Sequence, residues 1–296
     1  MAHGKTRGSG SLGPILIVLG ALLVLWYVAA LGMNWDRQAG LYQRTGVPMP
    51  PVTQVVGDLL NMDKPMLPAP HQVATEVWKT TVEQAVTSRR SLVYHGWATL
   101  SATLLGFVIG TALGIGLAVL IVHNDAADRS MLPWIIASQT VPILAIAPML
   151  IVVLNAIGIE GLLPKALISA YLSFFPVVVG MVKGFRSPEP ILLDLMRTYS
   201  AARAQVFAKL RWPMAMPYLF ASMKVGIAAS LVGAIVGELP AGGAGLGARL
   251  LAGSYYGQTV QIWAALVVAA VMSGTLVMLV GLGERWVTAR MGARPA

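Results

Sequence analysis

The sequence contains no cysteine and few charged side chains. The absence of cysteine excludes disulfide bonds, zinc–cysteine sites and thiol chemistry. Charged residues make up only 11% of the chain, whereas soluble domains carry roughly 25%. Hydrophobic residues make up 56%, so a water-soluble fold would expose a large apolar surface. The composition excludes a disordered chain, argues against a soluble enzyme and predicts an all-α polytopic membrane protein.

Motifs for phosphate binding and catalysis are also missing. Gly4-Lys5-Thr6 lacks the upstream glycine of a phosphate-binding loop. The sequence has no Gly-x-Ser-x-Gly, no His-Glu-x-x-His and no acidic pair that would mark a catalytic site. The four histidines are dispersed along the chain and indicate no metal site. We therefore expect that this chain is not an enzyme and that it binds no cofactor or metal itself.

Apolar runs long enough to cross a bilayer occur six times. In chain order they cover about 13–33, 96–122, 132–157, 163–184, 217–236 and 262–283. We expect the first run to be a retained helix rather than a cleaved signal peptide, because it is long and lacks a clean cleavage site. The segment 34–95 that follows is polar and rich in proline. Within it, 73–86 predicts a short amphipathic helix at the membrane interface.

The distribution of basic residues predicts the orientation of the chain. Lys and Arg number twelve in the segments 1–12, 123–131, 183–212 and 284–296 taken together, and they are sparse in the short loops on the other side. Basic residues collect in cytoplasmic loops, so both termini are predicted to be cytoplasmic and 34–95 periplasmic. The net charge of +9 then needs no nucleic-acid partner, since no basic run is interleaved with aromatic residues.

The connection between the fourth and fifth runs is basic and long for a link between two helices. Apolar residues recur from Leu195 to Leu210 with helical spacing, which predicts an amphipathic helix near 188–212 on the cytoplasmic face. Such a helix either lies inert on anionic lipid headgroups or docks a soluble partner. Ser200 suits a bend between two short helices, and Pro213 suits the entry to the fifth span.

This connection resembles the cytoplasmic signature of ABC-importer permease subunits, in the branch that handles nitrate, sulfonates and taurine. The family pattern is Glu-Ala-Ala, three residues, Gly, nine residues and Ile-x-Leu-Pro. Here Asp194-Leu195-Met196, Ser200 and Leu210-Arg211-Trp212-Pro213 keep the spacing, although only the proline is identical. The resemblance extends from about residue 67 to the C-terminus through these similar segments: Leu67-Pro68-Ala69-Pro70, 95–100, 141–148, 174–176 and Glu238 with Gly245-Leu246-Gly247.

The resemblance implies a permease core over 96–283 that forms the path for a small anionic or organic solute in a bacterial inner membrane. The implied partners are a second permease subunit, a cytoplasmic ATPase dimer, a periplasmic solute-binding protein and the lipid bilayer. A homodimer of the permease is favoured, and ATP and Mg are expected on the ATPase. The residues implied at the ATPase contact are Asp194, Ser200, Arg203 and Pro213. Those implied at the translocation path or its gate are Lys224, Glu238, Gly245, Gly247, Pro142 and Pro148.

Several points stay open at the level of the residues. Pro142 and Pro148 either kink their span or line a pore. Lys224 lies about halfway through its span, where a cation costs roughly 2.5–3.5 kcal/mol. It either faces a cavity and attracts an anion, or it pairs with a polar group on a neighbouring span. The close spacing of small residues in the second span predicts tight helix packing; these residues are Gly106, Gly110 and Gly114.

Two other functions compete with an ATP-driven importer. The first is a secondary transporter driven by an ion gradient, which would be expected to show an internal repeat and several ionisable residues at mid-membrane. The second is a membrane scaffold without transport activity. The segment 36–66 is longer than the resemblance leads us to expect, and it has no assigned role.

Overall fold

The computed structural model describes residues 12–46 and 48–291, and every regular element within these ranges is helical. The predicted all-α fold is thus confirmed. The helices are α1 (Leu12–Thr45), α2 (Val52–Leu60), α3 (Pro70–Trp78), α4 (Leu92–His123), α5 (Asp125–Ser138), α6 (Ile143–Ala156), α7 (Leu162–Phe185), α8 (Pro190–Thr198), α9 (Arg203–Val206), α10 (Trp212–Ala241), α11 (Leu246–Tyr255) and α12 (Thr259–Arg290). Residues 1–11 of the predicted segment 1–12, and 292–296 of the predicted segment 284–296, lie outside the described residues.

Five helices of the described chain are long and apolar enough to cross a membrane: α1, α4, α7, the continuous α9–α10 segment and α12. A sixth crossing is available if α5 and α6 together form one span, although the two helices meet at an angle of 99°. The run 132–157 is therefore not one continuous helix. Helix α5 ends at Ser138, and Pro142 precedes α6 with an extended backbone; the residue before a proline is disfavoured in the helical region, which favours a helix boundary here.

The first and last spans are longer than their apolar runs. Helix α1 does not end at residue 33 but continues to Thr45, because no glycine with positive φ and no proline interrupts it before Gly46, whose φ is +68°. Helix α12 likewise continues to Arg290. Hydropathy marks the part of a helix that fits the bilayer, whereas backbone signals mark where the helix ends.

One compact unit comprises residues 1–84 and 252–265. Its centre is the buried amide of Asn34, which donates to the carbonyl of Leu67 at 2.8 Å and accepts from the N–H of Met66 at 2.7 Å. The indole of Trp26 donates to the carbonyl of Pro68 at 3.0 Å. These bonds fix the turn before α3. The predicted amphipathic helix at 73–86 is α3 followed by a short π-helical turn, Lys79–Glu83.

The second compact unit comprises residues 85–251 and 266–296. Within it α7 packs closely against α4, and the contact is made by the small residues of α4. A Cβ at Gly106 or Gly110 would overlap Ser169 or Ser173 of α7, and one at Gly114 would lie 2.7 Å from Val177. The predicted close packing of these three glycines is confirmed.

Helix α10 meets α7 in the same manner and partly at the same residue, Ser169. A Cβ at Gly233 would lie 2.6 Å from Ser169 Cα, and the Ser169 hydroxyl donates to the carbonyl of Ser230 at 2.7 Å. Ser230 in turn donates to the carbonyl of Thr103 on α4 at 2.8 Å. Small residues and hydroxyl groups therefore let α4, α7 and α10 approach closely, beside a buried apolar cluster that includes Ile121, Met181 and Leu219.

Candidate functional site

A buried carboxylate organises the C-terminal end of α10. Glu238 is fully buried, and its Oε2 accepts hydrogen bonds from the Thr99 hydroxyl at 3.0 Å and from the Gly247 N–H at 2.8 Å. Thr99 belongs to α4, while Gly247 lies in the first turn of α11. One side chain thus ties together α4, α10 and the glycine-rich loop 242–247.

The same loop is held by a histidine that sequence analysis left without a role. The Gly245 N–H donates to Nδ1 of His95 at 3.0 Å, so this ring nitrogen carries no proton. The other ring nitrogen, Nε2, then donates to the carbonyl of Arg89 at 2.9 Å. The next N–H of the loop, that of Leu246, donates to the Thr99 hydroxyl at 2.8 Å. Three successive backbone donors are therefore satisfied by buried side chains.

We call this arrangement the Glu238 cluster; its residues are His95, Thr99, Glu238, Gly245 and Gly247. Its two glycines are seated tightly and are not merely flexible links. Gly245 has φ +144°, and a Cβ there would overlap the carboxylate of Glu238. Lys165 of α7 donates to the neighbouring carbonyl of Ala244 at 3.0 Å.

A second polar contact lies nearer the N-terminal end of α10. The Lys224 ammonium donates to the carboxylate of Glu284 on α12, with 37% and 25% of the two side chains exposed. A Cβ at Gly281, one turn before Glu284, would lie 3.6 Å from the Lys224 stem, which is an ordinary van der Waals distance. The sequence left two alternatives for Lys224, a cation that faces a cavity or a side chain that pairs with a neighbouring span. In the structure Lys224 forms the pair.

The connection between α7 and α10 is broken where the sequence suggested a bend. Helix α8 ends at Thr198, and Ser200 has φ +49°, whereas α9 begins only at Arg203. The amphipathic helix expected near 188–212 is therefore interrupted, and the interruption includes Ser200, the position at which a bend was expected. On α8, Asp194 pairs with Arg197 at 2.9 Å.

Helix α8 and the residue that caps its C-terminal end carry an exposed apolar stripe, which we define as Ile191, Leu195 and Tyr199. These residues are four apart and fall on one helical face. Their exposed fractions are 71%, 50% and 78%. Asp194 and Arg203 are exposed beside them, so the stripe lies within a polar segment of the chain.

An aromatic cluster links this connection to the ends of the long helices. Phe207 lies in the π-helical turn Phe207–Arg211; its ring centre is 5.1 Å from that of Phe185, 6.0 Å from that of Trp212 and 5.1 Å from that of His123. Phe185 is fully buried at the end of α7. A displacement of the turn would therefore press on α4, α7 and α10 together.

Comparison with known proteins shows which family the chain belongs to. Residues 110–293 match the family of the "Binding-protein-dependent transport system inner membrane component". The chain belongs to this family. The membership confirms the resemblance seen in the sequence, and it decides against a secondary transporter and against a scaffold. The chain is a permease subunit of an ATP-binding-cassette importer.

Several curated relatives of the permease carry transport names. The riboflavin transport system permease protein RibX of Chloroflexus aurantiacus is 34% identical over 74% of this chain and 78% of its own length. The formylaminopyrimidine transport permease protein ThiX of Halalkalibacterium halodurans is 28% identical over 62% and 68%. The putative aliphatic sulfonates transport permease protein SsuC of Bacillus subtilis is 24% identical over 79% and 81%.

The permease places its predicted site residues in separate groups. Glu238, Gly245 and Gly247 come together, whereas Lys224 pairs elsewhere with Glu284. Pro142 precedes α6 and Pro148 lies inside it. The residues predicted for the ATPase contact all lie on or beside the connection between α7 and α10, with Pro213 in the first turn of α10; they are Asp194, Ser200, Arg203 and Pro213.

Sequence reasoning missed Thr99, Glu284 and Phe207. The spacing of His95 and Thr99, four residues apart on α4, would have placed both on one helical face. Glu284 was assigned to the cytoplasmic C-terminus because the apolar run ends before it. For Phe207 no local signal existed, because its three ring partners come from distant parts of the sequence.

The Glu238 cluster predicts that a side chain at residue 245 is not tolerated. Gly245→Ala would insert a methyl group into the carboxylate of Glu238, and overpacking of this kind costs about 1–3 kcal/mol. Gly242→Ala is the matched control, since it has φ +63° but no atom near the added Cβ. The thermal midpoint of the purified permease should fall clearly more for Gly245→Ala than for Gly242→Ala. Equal midpoints for the two variants would contradict the assigned contact.

The pairing of Lys224 with Glu284 predicts non-additive substitutions. Lys224→Met leaves the carboxylate of Glu284 without its partner among apolar helices and should lower the thermal midpoint. The double variant Lys224→Met/Glu284→Gln should recover part of that loss, with a coupling energy of about 0.5–3 kcal/mol. Strictly additive effects in the double-mutant cycle would show that the two side chains do not support each other.

Proposed function

We infer that two copies of this permease form the translocation path in a bacterial inner membrane, and that a separate cytoplasmic ATPase dimer binds and hydrolyses ATP with Mg. The observation that carries this proposal is the exposed apolar stripe of α8. The chain has no phosphate-binding loop of its own, so the energy of hydrolysis must enter through a protein contact. The stripe supplies a surface for that contact.

The surroundings of the stripe favour a protein partner over lipid tails. Charged side chains are exposed on the same short helix and directly after it, among them Asp194, Arg197 and Arg203. A helix with both kinds of side chain on its outer face cannot enter the hydrocarbon core without burying charge. An apolar centre with a polar rim is the usual composition of a protein interface.

The aromatic cluster around Phe207 provides the mechanical link. Arg211 donates to the carbonyl of Phe185 at 3.4 Å, and Arg186 forms an ion pair with Asp128 of α5 at 2.8 Å. Movement of α8 and α9 would therefore reach the cytoplasmic ends of several membrane helices at once. In the proposed mechanism, closure of the ATPase dimer moves these helix ends. The movement changes the side of the membrane to which the translocation path is open.

The distribution of basic residues supports termini on one side of the membrane. Because basic residues collect in cytoplasmic loops, both termini are proposed to be cytoplasmic and 34–95 periplasmic. The beginning of α12 lies against this segment: the hydroxyl of Thr259 donates to the carbonyl of Pro65 at 2.5 Å, and the rings of Trp26 on α1 and Trp263 on α12 lie 5.0 Å apart.

The solute is proposed to be a small organic molecule or an anion. The relatives are named for riboflavin, formylaminopyrimidine and aliphatic sulfonates, which share no single charge. Lys224 is neutralised by Glu284, so it does not offer a free cation for anions. Selection of the solute is therefore assigned to the periplasmic binding protein, and the ligand of the binding protein encoded beside this chain would identify it.

Two substitutions should separate docking from transmission. Leu195→Glu places a charge in the centre of the stripe and should weaken ATPase binding, whereas Leu195→Met is the apolar control and should bind normally. Phe207→Ala empties the aromatic cluster and should keep ATPase binding but lower the solute transported per ATP hydrolysed. Binding is measured by co-purification, and coupling in proteoliposomes. Normal ATPase binding by Leu195→Glu would refute the docking surface.

The orientation can be tested directly because the native chain has no cysteine. Ser200→Cys and Ser254→Cys each introduce one exposed thiol. In intact cells whose outer membrane has been permeabilised, a maleimide that cannot cross the inner membrane should label Ser254→Cys and leave Ser200→Cys unlabelled. Lysis should make both react. Labelling of Ser200→Cys in the unlysed cells would overturn the proposed orientation.

A further inference from the structure

The segment 34–64 is folded, and it lies outside the residues that match the family. The match to the family begins at residue 110. The apolar part of α1, Gly13–Met33, is about 31 Å long as a helix and fills a hydrocarbon core of roughly 30 Å. The remainder of α1 from Asn34 to Thr45 then projects about 18 Å beyond the bilayer.

Helix α2 packs back along this projection and forms a hairpin with it. We call the two arms, residues 34–45 and 52–64, the charged hairpin. The hydroxyl of Tyr42 on the first arm donates to the carboxylate of Asp58 on the second at 2.5 Å. Val55 and Leu59 of α2 are buried, and Asn34 fixes the base of the hairpin through Met66 and Leu67. The hairpin is thus a folded element.

The two arms enclose an open cleft of about 870 Å³. Six charged side chains line it, three of each sign: Asp36, Asp58, Asp63, Arg37, Arg44 and Lys64. Among the residues that the structure describes, no ion pair joins any of these six to another side chain. All but Asp58 are exposed. The acidic and basic side chains of this surface are therefore available to form ion pairs with a surface of complementary charge.

We propose that the charged hairpin is the docking surface for the periplasmic solute-binding protein of this importer, which meets it with acidic and basic side chains of its own. The inference rests on the proposed function and orientation, which place the hairpin on the periplasmic side. Each importer must select its own binding protein, and an element outside the shared family region can differ between importers. Charge complementarity gives such selection and accelerates encounter.

The shape of the cleft favours a protein partner over a solute. Small solutes are bound in enclosed and mostly apolar sites with few polar groups. Here the cleft is open and its charged side chains remain in contact with solvent. The hairpin also projects beyond the bilayer, where a soluble protein can reach it.

The test uses the complete importer in lipid nanodiscs and the purified binding protein encoded beside this chain, loaded with its solute. The variant Arg37→Glu/Arg44→Glu/Lys64→Glu reverses the basic half of the cleft. We expect it to weaken the affinity for the binding protein at least about tenfold, because three exposed ion pairs are lost and replaced by repulsion. Basal ATP hydrolysis should be unchanged. The affinity of the native importer should fall as salt is raised.

The matched control is Lys79→Glu/Arg89→Glu/Arg90→Glu, which makes the same charge change at exposed residues of 34–95 outside the cleft. This control should bind normally. Equal affinities for both triple variants, whether native or reduced, would overturn the proposal. If the first variant fails to assemble, Arg44→Gln/Lys64→Gln gives the milder test with the same direction. Absence of binding-protein-dependent transport by the native importer would instead refute the proposed function.

Discussion

The close approach of α7 to both α4 and α10 is the contact on which the rest of the structure depends. In a bilayer the hydrophobic effect does not drive helices together, so small residues and hydroxyl bonds must do so. Ser169 lies at the centre of this packing: a Cβ at Gly106 or at Gly233 would collide with it, and its hydroxyl reaches the Ser230 carbonyl. A bulky residue at any of these points would separate the three helices.

This three-helix packing connects the two ends of the permease. At one end of α7, Phe185 contacts the aromatic turn at Phe207, while near the other end Lys165 bonds the loop beside the Glu238 cluster. Helix α10 likewise begins at Trp212 and ends just after Glu238. In our proposal a push on the cytoplasmic connection is carried along α7 and α10 to the loop 242–247. Rigid helices can transmit such a displacement because close-packed interfaces do not deform continuously.

The sequence predicted the membrane class, most of the spans and the glycine contacts, because these follow from hydropathy and spacing alone. It predicted the bend at Ser200, since a serine side chain can hydrogen-bond the nearby backbone and so competes with helix formation. It did not predict the break between α5 and α6, where Pro142 interrupts an apolar run that hydropathy reads as continuous. It also missed the partners of Glu238 and Lys224. Thr99 and Glu284 are 139 and 60 residues away from them, and no local pattern joins residues so far apart.

Docking of a separate ATPase on the stripe of α8 would shield its residues from soluble reagents, so thiol protection reveals whether the docking occurs. Tyr199→Cys places a single cysteine in the exposed stripe of the cysteine-free chain. Its rate of reaction with a soluble maleimide is measured in the purified permease with and without the ATPase subunit, and Ser254→Cys serves as reference. We expect the ATPase to slow the reaction of the cysteine at residue 199 strongly and to leave the rate at residue 254 unchanged. An unchanged rate at residue 199 in the assembled complex would contradict the account.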